Sequence, residues 1–114
     1  AVAVQVGTAL LLTPECGASA AHKEALRSRA YPGTTLTRAF SGRYARGLTN
    51  RFILEHDRTA PAAYPELNQL TRPLRAAAAA TGDQGGVSLW AGTGFRDIRE
   101  APAAEVILGL WARG

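Results

Sequence analysis

The stretch Ala1-Val2-Ala3-Val4-Gln5-Val6-Gly7-Thr8 decides the fold class. Its valines alternate with small or uncharged neighbours, which is typical of a strand buried on both faces of a parallel sheet. Gly7 lets the backbone approach a ligand or turn tightly, and Thr8 can cap the segment that follows. The stretch therefore predicts a buried strand over residues 2–6 that runs into an anion-binding turn. Because the sequence starts inside this strand, we expect the C-terminal piece of a larger α/β enzyme.

Composition bounds the class of protein. With 114 residues, 46% hydrophobic and 19% charged, the chain is typical of one globular domain. The formal charge of +4 is a mild excess, so no nucleic-acid partner is expected. No apolar run approaches the roughly 18 to 20 residues of a membrane span, so no membrane partner is expected either. The single Cys16 cannot form an internal disulfide, which favours a cytoplasmic location.

Local patterns predict alternating short elements after the opening strand. Ser19 caps a helix near 20–29, and Pro102 opens a C-terminal helix with Val106 and Trp111 on its apolar face. The other predicted elements are a helical turn at 8–12, strands at 34–40 and 44–48, a helix at 50–56 capped by Thr49 or Asn50, a helical stretch from Pro65 to Gly82, a flexible connector at 83–86 and an extended segment at 87–90.

The stretch from Pro65 to Gly82 has a helical period and one breaker. Leu67, Leu70 and Leu74 fall on one stripe, which predicts the buried face of the helix. Pro73 lacks an N–H, so we expect the helix to be interrupted and to restart near Thr71 or Arg72.

Two segments are candidates for ligand binding. Gln5, Val6, Gly7 and Thr8 follow the pattern of a strand end whose backbone N–H groups hold an anion; the alternative is a plain strand end. Trp90, Ala91, Gly92 and Thr93 combine an aromatic ring with small residues that admit a flat ligand; the alternative is a glycine-rich turn with a core tryptophan.

The remaining reactive side chains favour structural roles. Arg38, Arg43, Arg46 and Arg51 cluster around the predicted hairpin, where a solvated face that ties loops to carboxylates is favoured over a phosphate-binding patch. His22 and His56 have no second ligand at metal spacing, and Cys16 has no histidine nearby in sequence. No metal site or thiol nucleophile is predicted.

Five ordered blocks cover nearly the whole chain. They are Val4-Gln5-Val6-Gly7-Thr8-Ala9 with Leu11-Leu12-Thr13-Pro14-Glu15; Leu36-Thr37-Arg38-Ala39-Phe40-Ser41-Gly42-Arg43; Ala45-Arg46-Gly47-Leu48 with Asn50-Arg51-Phe52; Tyr64-Pro65 with Leu70-Thr71-Arg72-Pro73-Leu74-Arg75; and Ser88-Leu89-Trp90-Ala91-Gly92. Together they resemble the C-terminal part of the nitronate monooxygenases, formerly called 2-nitropropane dioxygenases.

The resemblance implies an α/β fold, namely the C-terminal piece of an FMN-binding TIM barrel with part of a smaller α+β lid domain. Residues 1–33 would supply the last barrel strand, the phosphate turn and a helix. Residues 34–86 would supply the hairpin and helices of the smaller domain, and residues 87–114 the flavin-pocket segment and the C-terminal helix. Gln5, Val6, Gly7 and Thr8 would hold the FMN phosphate, in agreement with phosphate binding after strands seven and eight of such barrels. Trp90, Ala91, Gly92 and Thr93 would border the substrate pocket, although Thr93 stands where the family pattern has Gln.

The implied reaction oxidises an alkyl nitronate with O2 to a carbonyl compound and nitrite. The family's catalytic His lies earlier in the barrel, so neither His22 nor His56 matches it and no catalytic residue is assigned. The expected partners are the nitronate, O2 and the remaining barrel portion. The 114-residue piece alone is expected to be inactive and either to aggregate or to need a partner chain. The alternatives are a flavin-dependent NADH:quinone or enoyl reductase of the same fold and, from another class, a basic non-enzymatic binding module.

Overall fold

The computed structural model describes residues 2–113, so Ala1 of the opening stretch and Gly114 lie outside the described residues. Four α-helices and a two-stranded sheet form a mixed α/β fold, which confirms the predicted class. In chain order they are α1 (Ala20–Ser28), β1 (Thr34–Thr37), β2 (Ala45–Leu48), α2 (Arg51–His56), α3 (Glu66–Ala80) and α4 (Ala103–Arg113). Three short 3₁₀ turns lie at Thr8–Leu10, Gln84–Gly86 and Phe95–Asp97.

The predicted strand at residues 2–6 is wrong for this structure. These residues form no regular element, and Val2, Val4 and Val6 are exposed. A strand is held by hydrogen bonds to a neighbouring strand, and no described residue pairs with this backbone. The helical turn predicted directly after it is present as Thr8–Leu10.

Ser19 caps α1 as predicted, and of the two residues predicted to cap α2, Thr49 and Asn50, the structure selects Asn50. The Ser19 hydroxyl accepts from the His22 N–H at 3.2 Å at the start of α1. The Asn50 side-chain oxygen accepts from the Ile53 N–H at 3.3 Å at the start of α2. Each cap satisfies an N–H group that the first helical turn leaves without a partner.

The predicted hairpin is present but shorter than expected. β1 and β2 pair antiparallel, with Thr34 opposite Leu48 and Thr37 opposite Ala45. The first strand ends at Thr37 rather than at residue 40, because the Thr37 hydroxyl turns back to the Ala39 N–H at 3.0 Å and also donates to Asp57 at 2.5 Å. These polar contacts lead the chain out of the strand and into a tight turn.

Two predictions for α3 are wrong. The helix is continuous through Pro73, and this proline leaves only the Gln69 carbonyl without its helical donor. Both residues are exposed, so water can serve that carbonyl. Leu70 and Leu74 also face solvent, while Thr71 is buried and donates to the Phe40 carbonyl. A hydrogen bond to the neighbouring loop, which hydrophobic periodicity does not report, sets the rotation of the helix.

The connector predicted to be flexible is bound on two sides. Arg51 pairs with Asp83 at 2.7 Å, and the Asn50 amide donates to the carbonyls of Gln84 at 3.0 Å and Val87 at 2.7 Å. The segment therefore delivers the chain from α3 to its next extended stretch in a fixed position.

One apolar core unites the beginning, middle and end of the chain. Its buried members are Leu12, Ala21, Ala25, Leu26, Leu48, Val87, Leu89, Ala91 and Phe95. In α4, by contrast, Val106 of the predicted apolar face is buried, whereas Trp111 of that face is exposed, as are Ile107 and Leu108. None of the helices in residues 2–113 has the length and hydropathy required to cross a bilayer.

Candidate functional site

A cavity of about 710 Å³ lies between the opening segment, the loop after Trp90 and α4. All four residues of the predicted phosphate turn line it: Gln5, Val6, Gly7 and Thr8. From the second predicted segment, Gly92 and Thr93 line the same cavity. The fold thus brings together two segments that are more than eighty residues apart in sequence.

The turn at Gly7 is a 3₁₀ turn that begins at the cavity wall. The Leu10 N–H donates to the Gly7 carbonyl at 2.9 Å, and the Leu11 N–H donates to the Thr8 carbonyl at 3.1 Å. The N–H groups of Thr8 and Ala9 come before these bonds, so the turn itself offers them no carbonyl. Both residues line the cavity, which makes this wall a source of hydrogen-bond donors for an anion.

The Thr8 side chain joins the turn to the second segment. Its hydroxyl oxygen accepts from the Gly92 N–H at 2.8 Å, across a sequence separation of 84 residues. A Cβ at position 92 would lie 3.3 Å from this oxygen, so glycine permits the close approach. Because the hydroxyl oxygen is the acceptor in this bond, its proton remains available to a ligand.

The segment Leu89–Ala91 lies beside β2 and is paired to it by an isolated antiparallel bridge between Gly47 and Trp90; we call this bridged segment the third strand. The Leu48 N–H donates to the Leu89 carbonyl at 2.9 Å, and the Ala91 N–H donates to the Arg46 carbonyl at 3.1 Å. A Cβ on Gly47 would lie 3.1 Å from the Leu89 oxygen. A glycine in β2 thus allows the strand that leads into the cavity wall to lie flat against it.

Trp90 and Ala91, from the same predicted segment, lie outside this cavity. Neither lines the cavity among the described residues. The Trp90 indole is partly buried and meets the Phe40 ring edge-on, with centroids 5.4 Å apart. Phe40 in turn stacks on Phe52 at 4.6 Å. In this structure Trp90 anchors the strand through aromatic packing.

His22 is the contact that sequence reasoning missed. Its side chain is buried, and its Nε2 lies 2.9 Å from the Trp90 carbonyl oxygen. Since a carbonyl only accepts, Nε2 carries the proton and donates. Burial lowers the pKa of His22 below its ordinary value, while the hydrogen bond to Trp90 opposes that shift. No spacing signal exists for a pair 68 residues apart.

Two charged residues that the sequence did not single out, Asp97 and Arg99, also line the cavity. The Arg99 guanidinium donates a weak hydrogen bond to the Glu105 carbonyl at 3.4 Å and is exposed. The wall opposite the turn therefore carries one charge of each sign.

The arginine cluster is engaged within the protein. Arg51 makes two hydrogen bonds to Asp83, at 2.7 and 3.2 Å, which raise the pKa of the guanidinium and lower that of the carboxyl. Arg43 lies over the Tyr64 ring at 4.4 Å. Arg38 donates to the Ala60 carbonyl at 2.9 Å, and Arg46 donates to Thr34 at 3.2 Å. These contacts match the structural role that the sequence favoured.

The other candidate ligands lie apart from one another. His56 is exposed at the end of α2, with Glu55 3.7 Å away, and Cys16 is a partly buried free thiol. Within residues 2–113, no group of three or more His, Cys, Asp or Glu side chains is arranged to hold a metal ion.

Comparisons with known proteins bear on nearly the whole chain. Residues 1–112 match the family model described as nitronate monooxygenase. A nitronate monooxygenase from Pseudomonas aeruginosa is 44% identical over 115 aligned residues, covering 96% of this chain and 32% of the relative. A nitroalkane oxidase from Streptomyces ansochromogenes, of known crystal structure, is 54% identical with a TM-score of 0.91, covering 95% of this chain and 31% of that one. The chain thus spans about a third of the length of these relatives.

Proposed function

This chain belongs to the nitronate monooxygenase family, and from that premise we propose that it supplies the phosphate turn and one pocket wall of an FMN-dependent oxidoreductase. The whole enzyme would oxidise alkyl nitronates with O2 to carbonyl compounds and nitrite. The nitronate, O2 and the remaining barrel portion are then the partners of this chain, which would be inactive by itself.

The single observation that supports the proposal is the cavity shared by the turn at Gly7 and the Gly92–Thr93 segment. An FMN phosphate requires several hydrogen-bond donors on a surface that the backbone can expose. The turn offers the N–H groups of Thr8 and Ala9 and the free hydroxyl proton of Thr8. A Cβ at Gly7 would meet nothing within 4 Å, so the space beside it is open to a ligand. The residues present therefore fit a phosphate group.

In this proposal the chain's residues bind and orient, and the bound flavin supplies the electron-transfer chemistry. Gly7 and Thr8 would hold the phosphate, with Gln5 and Val6 as the neighbouring wall. Gly92 and Thr93 would border the substrate pocket directly, while Trp90 and Ala91 support them from behind. No residue of this chain is assigned a catalytic role, and the limits 1–33, 34–86 and 87–114 remain proposed divisions.

The location in the cell is a further part of the proposal. The free thiol of Cys16 suits a reducing compartment, so we assign the enzyme to the cytoplasm.

The first test asks for the flavin and the reaction in the full-length protein. The expected result is flavin absorbance after purification and O2 consumption with propyl-2-nitronate. If the flavin-loaded protein consumes no O2 with the nitronate but oxidises NADH with a quinone, the reductase alternative is favoured. Absence of flavin, combined with salt-sensitive binding to nucleic acid, would favour the basic module.

The second test asks whether the turn holds the phosphate. Gly7→Ala introduces a Cβ that comes within 4 Å of no described residue beyond its chain neighbours, so it should act on a ligand held beside the turn. We expect FMN affinity to fall about 10-fold while riboflavin affinity changes little, because one charge-assisted phosphate contact contributes about that factor. Gly17→Ala is the matched control, since its Cβ also meets nothing within 4 Å. Equal losses for FMN and riboflavin would place the phosphate elsewhere.

A further inference from the structure

The outer edge of the third strand is satisfied by side chains instead of by another strand. In Leu89–Ala91, the Leu89 carbonyl and the Ala91 N–H are bound to β2. Backbone groups alternate in direction along a strand, so the Trp90 carbonyl and the Gly92 N–H point to the opposite edge. They form the pair that a neighbouring strand would normally take.

Both groups of that pair have a specific partner. His22 Nε2 donates to the Trp90 carbonyl at 2.9 Å, and the Thr8 hydroxyl accepts from the Gly92 N–H at 2.8 Å. His22 is 7% exposed and belongs to α1, whereas Thr8 belongs to the turn at the cavity. Thr8 therefore fastens the strand end to the turn, and His22 fastens it to α1.

We propose that His22 is a positioning residue for the pocket, acting with Thr8 to hold the Trp90–Gly92 backbone against the phosphate turn. The two hydrogen bonds, which we call the tether, are seen in the structure. Their consequence for catalysis rests on the proposed function. His22 is not among the described residues that line the cavity. Its effect reaches the substrate through the placement of Gly92 and Thr93.

The test uses the full-length protein with three variants. His22→Leu removes the donor, and His22→Gln keeps an N–H at a similar reach. Thr8→Val removes the second bond of the tether. His56→Gln, on the exposed end of α2, is the matched histidine control.

The expected signature separates positioning from general stability. In His22→Leu the KM for propyl-2-nitronate should rise about 10-fold, since a small misplacement of a binding wall has a cost of this order. FMN affinity should change less than about 2-fold, because the turn keeps its own donors. His22→Gln should restore KM, whereas Thr8→Val should impair both nitronate KM and FMN affinity. An unchanged KM in His22→Leu, or equal impairment in His22→Gln, would overturn the proposal.

Amide hydrogen exchange keeps the tether testable if the protein proves to be another kind of enzyme. Exchange over residues 90–92 should accelerate about 10-fold in His22→Leu, consistent with the loss of one buried hydrogen bond, and should be normal in His22→Gln. If His22→Leu fails to fold, the exchange rates of Thr8→Val and His22→Gln are compared instead: exchange over residues 90–92 should be faster in Thr8→Val and normal in His22→Gln. Equal exchange in Thr8→Val and the wild-type protein would refute the tether, whatever the reaction.

Discussion

Asn50 offers the sharpest test of how the strand beside the cavity is held. The residue is 1% exposed, and its side chain makes three hydrogen bonds. Its oxygen caps α2 at the Ile53 N–H, and its amide donates to the carbonyls of Gln84 at 3.0 Å and Val87 at 2.7 Å. Asn50→Ala removes all three and leaves two carbonyls without their donor.

The expected loss follows from these contacts. At about 1 kcal/mol for each net hydrogen bond, Asn50→Ala should lower the free energy of unfolding by about 3 kcal/mol. Asn50→Ser keeps a capping oxygen but lacks the amide donors, so it should recover about 1 kcal/mol of that loss. The difference between the two variants thus separates the helix cap from the cross-link to residues 84–87.

The measurement is urea unfolding of the full-length protein followed by circular dichroism, with the slope against urea checked for constancy. A loss below about 0.5 kcal/mol in Asn50→Ala would refute the reasoning from buried hydrogen bonds. Full recovery in Asn50→Ser would show that the cross-link to the connector contributes nothing.

Three further perturbations follow from the same structure. Gly42→Ala places a Cβ 2.5 Å from the Ala63 carbonyl carbon at a φ of +89°, so melting curves should show that the free energy of unfolding falls by more than about 2 kcal/mol. Gly82→Ala, at φ +74° with open space around it, should lower the free energy of unfolding by only about 1 kcal/mol. Equal losses in the two variants would mean that the contact with Ala63 is relieved. Thr71→Val keeps the side-chain shape but removes the hydroxyl that donates to the Phe40 carbonyl, so the urea midpoint should fall by an amount equivalent to about 1–2 kcal/mol; an unchanged midpoint would show that packing alone orients α3. Burial lowers the folded-state pKa of His22 below 6.5, so the unfolded chain takes up the proton more readily than the folded protein. The contribution of His22 to stability is therefore complete above pH 6.5 and declines as pH falls through the folded-state pKa. Urea midpoints between pH 7.5 and 5 should show a weaker acid dependence in His22→Gln than in His56→Gln, and identical profiles would contradict this assignment.

The sequence predicted best where the physical cause is local. The caps at Ser19 and Asn50 depend on residues three positions away; Ser19 was predicted correctly, and Asn50 was one of the two residues predicted for α2. The phosphate-turn residues were identified from a strand end followed by glycine and threonine, and the structure places them on one cavity with Gly92. Their role in binding remains a prediction.

The wrong or missing predictions concern features that are determined by partners distant in sequence. The strand at residues 2–6 needs a neighbour that the described residues do not provide. The Thr71 contact to Phe40 rotates α3 so that Leu70 and Leu74 face outward, against their hydrophobic period. His22 gave no signal because its partner is a backbone carbonyl 68 residues later. Such contacts become visible only when the chain is folded.

The side chains on the outer edge of the third strand also affect how the chain meets other chains. An open strand edge is a template on which a second molecule can add a strand and start an aggregate. His22 and Thr8 occupy the two polar groups that such an addition would use between Trp90 and Gly92. The exposed valines at positions 2, 4 and 6 have no equivalent protection among the described residues. When this chain is expressed alone, self-association should therefore begin at its opening segment, and a charged residue at Val4 is the change that should suppress it.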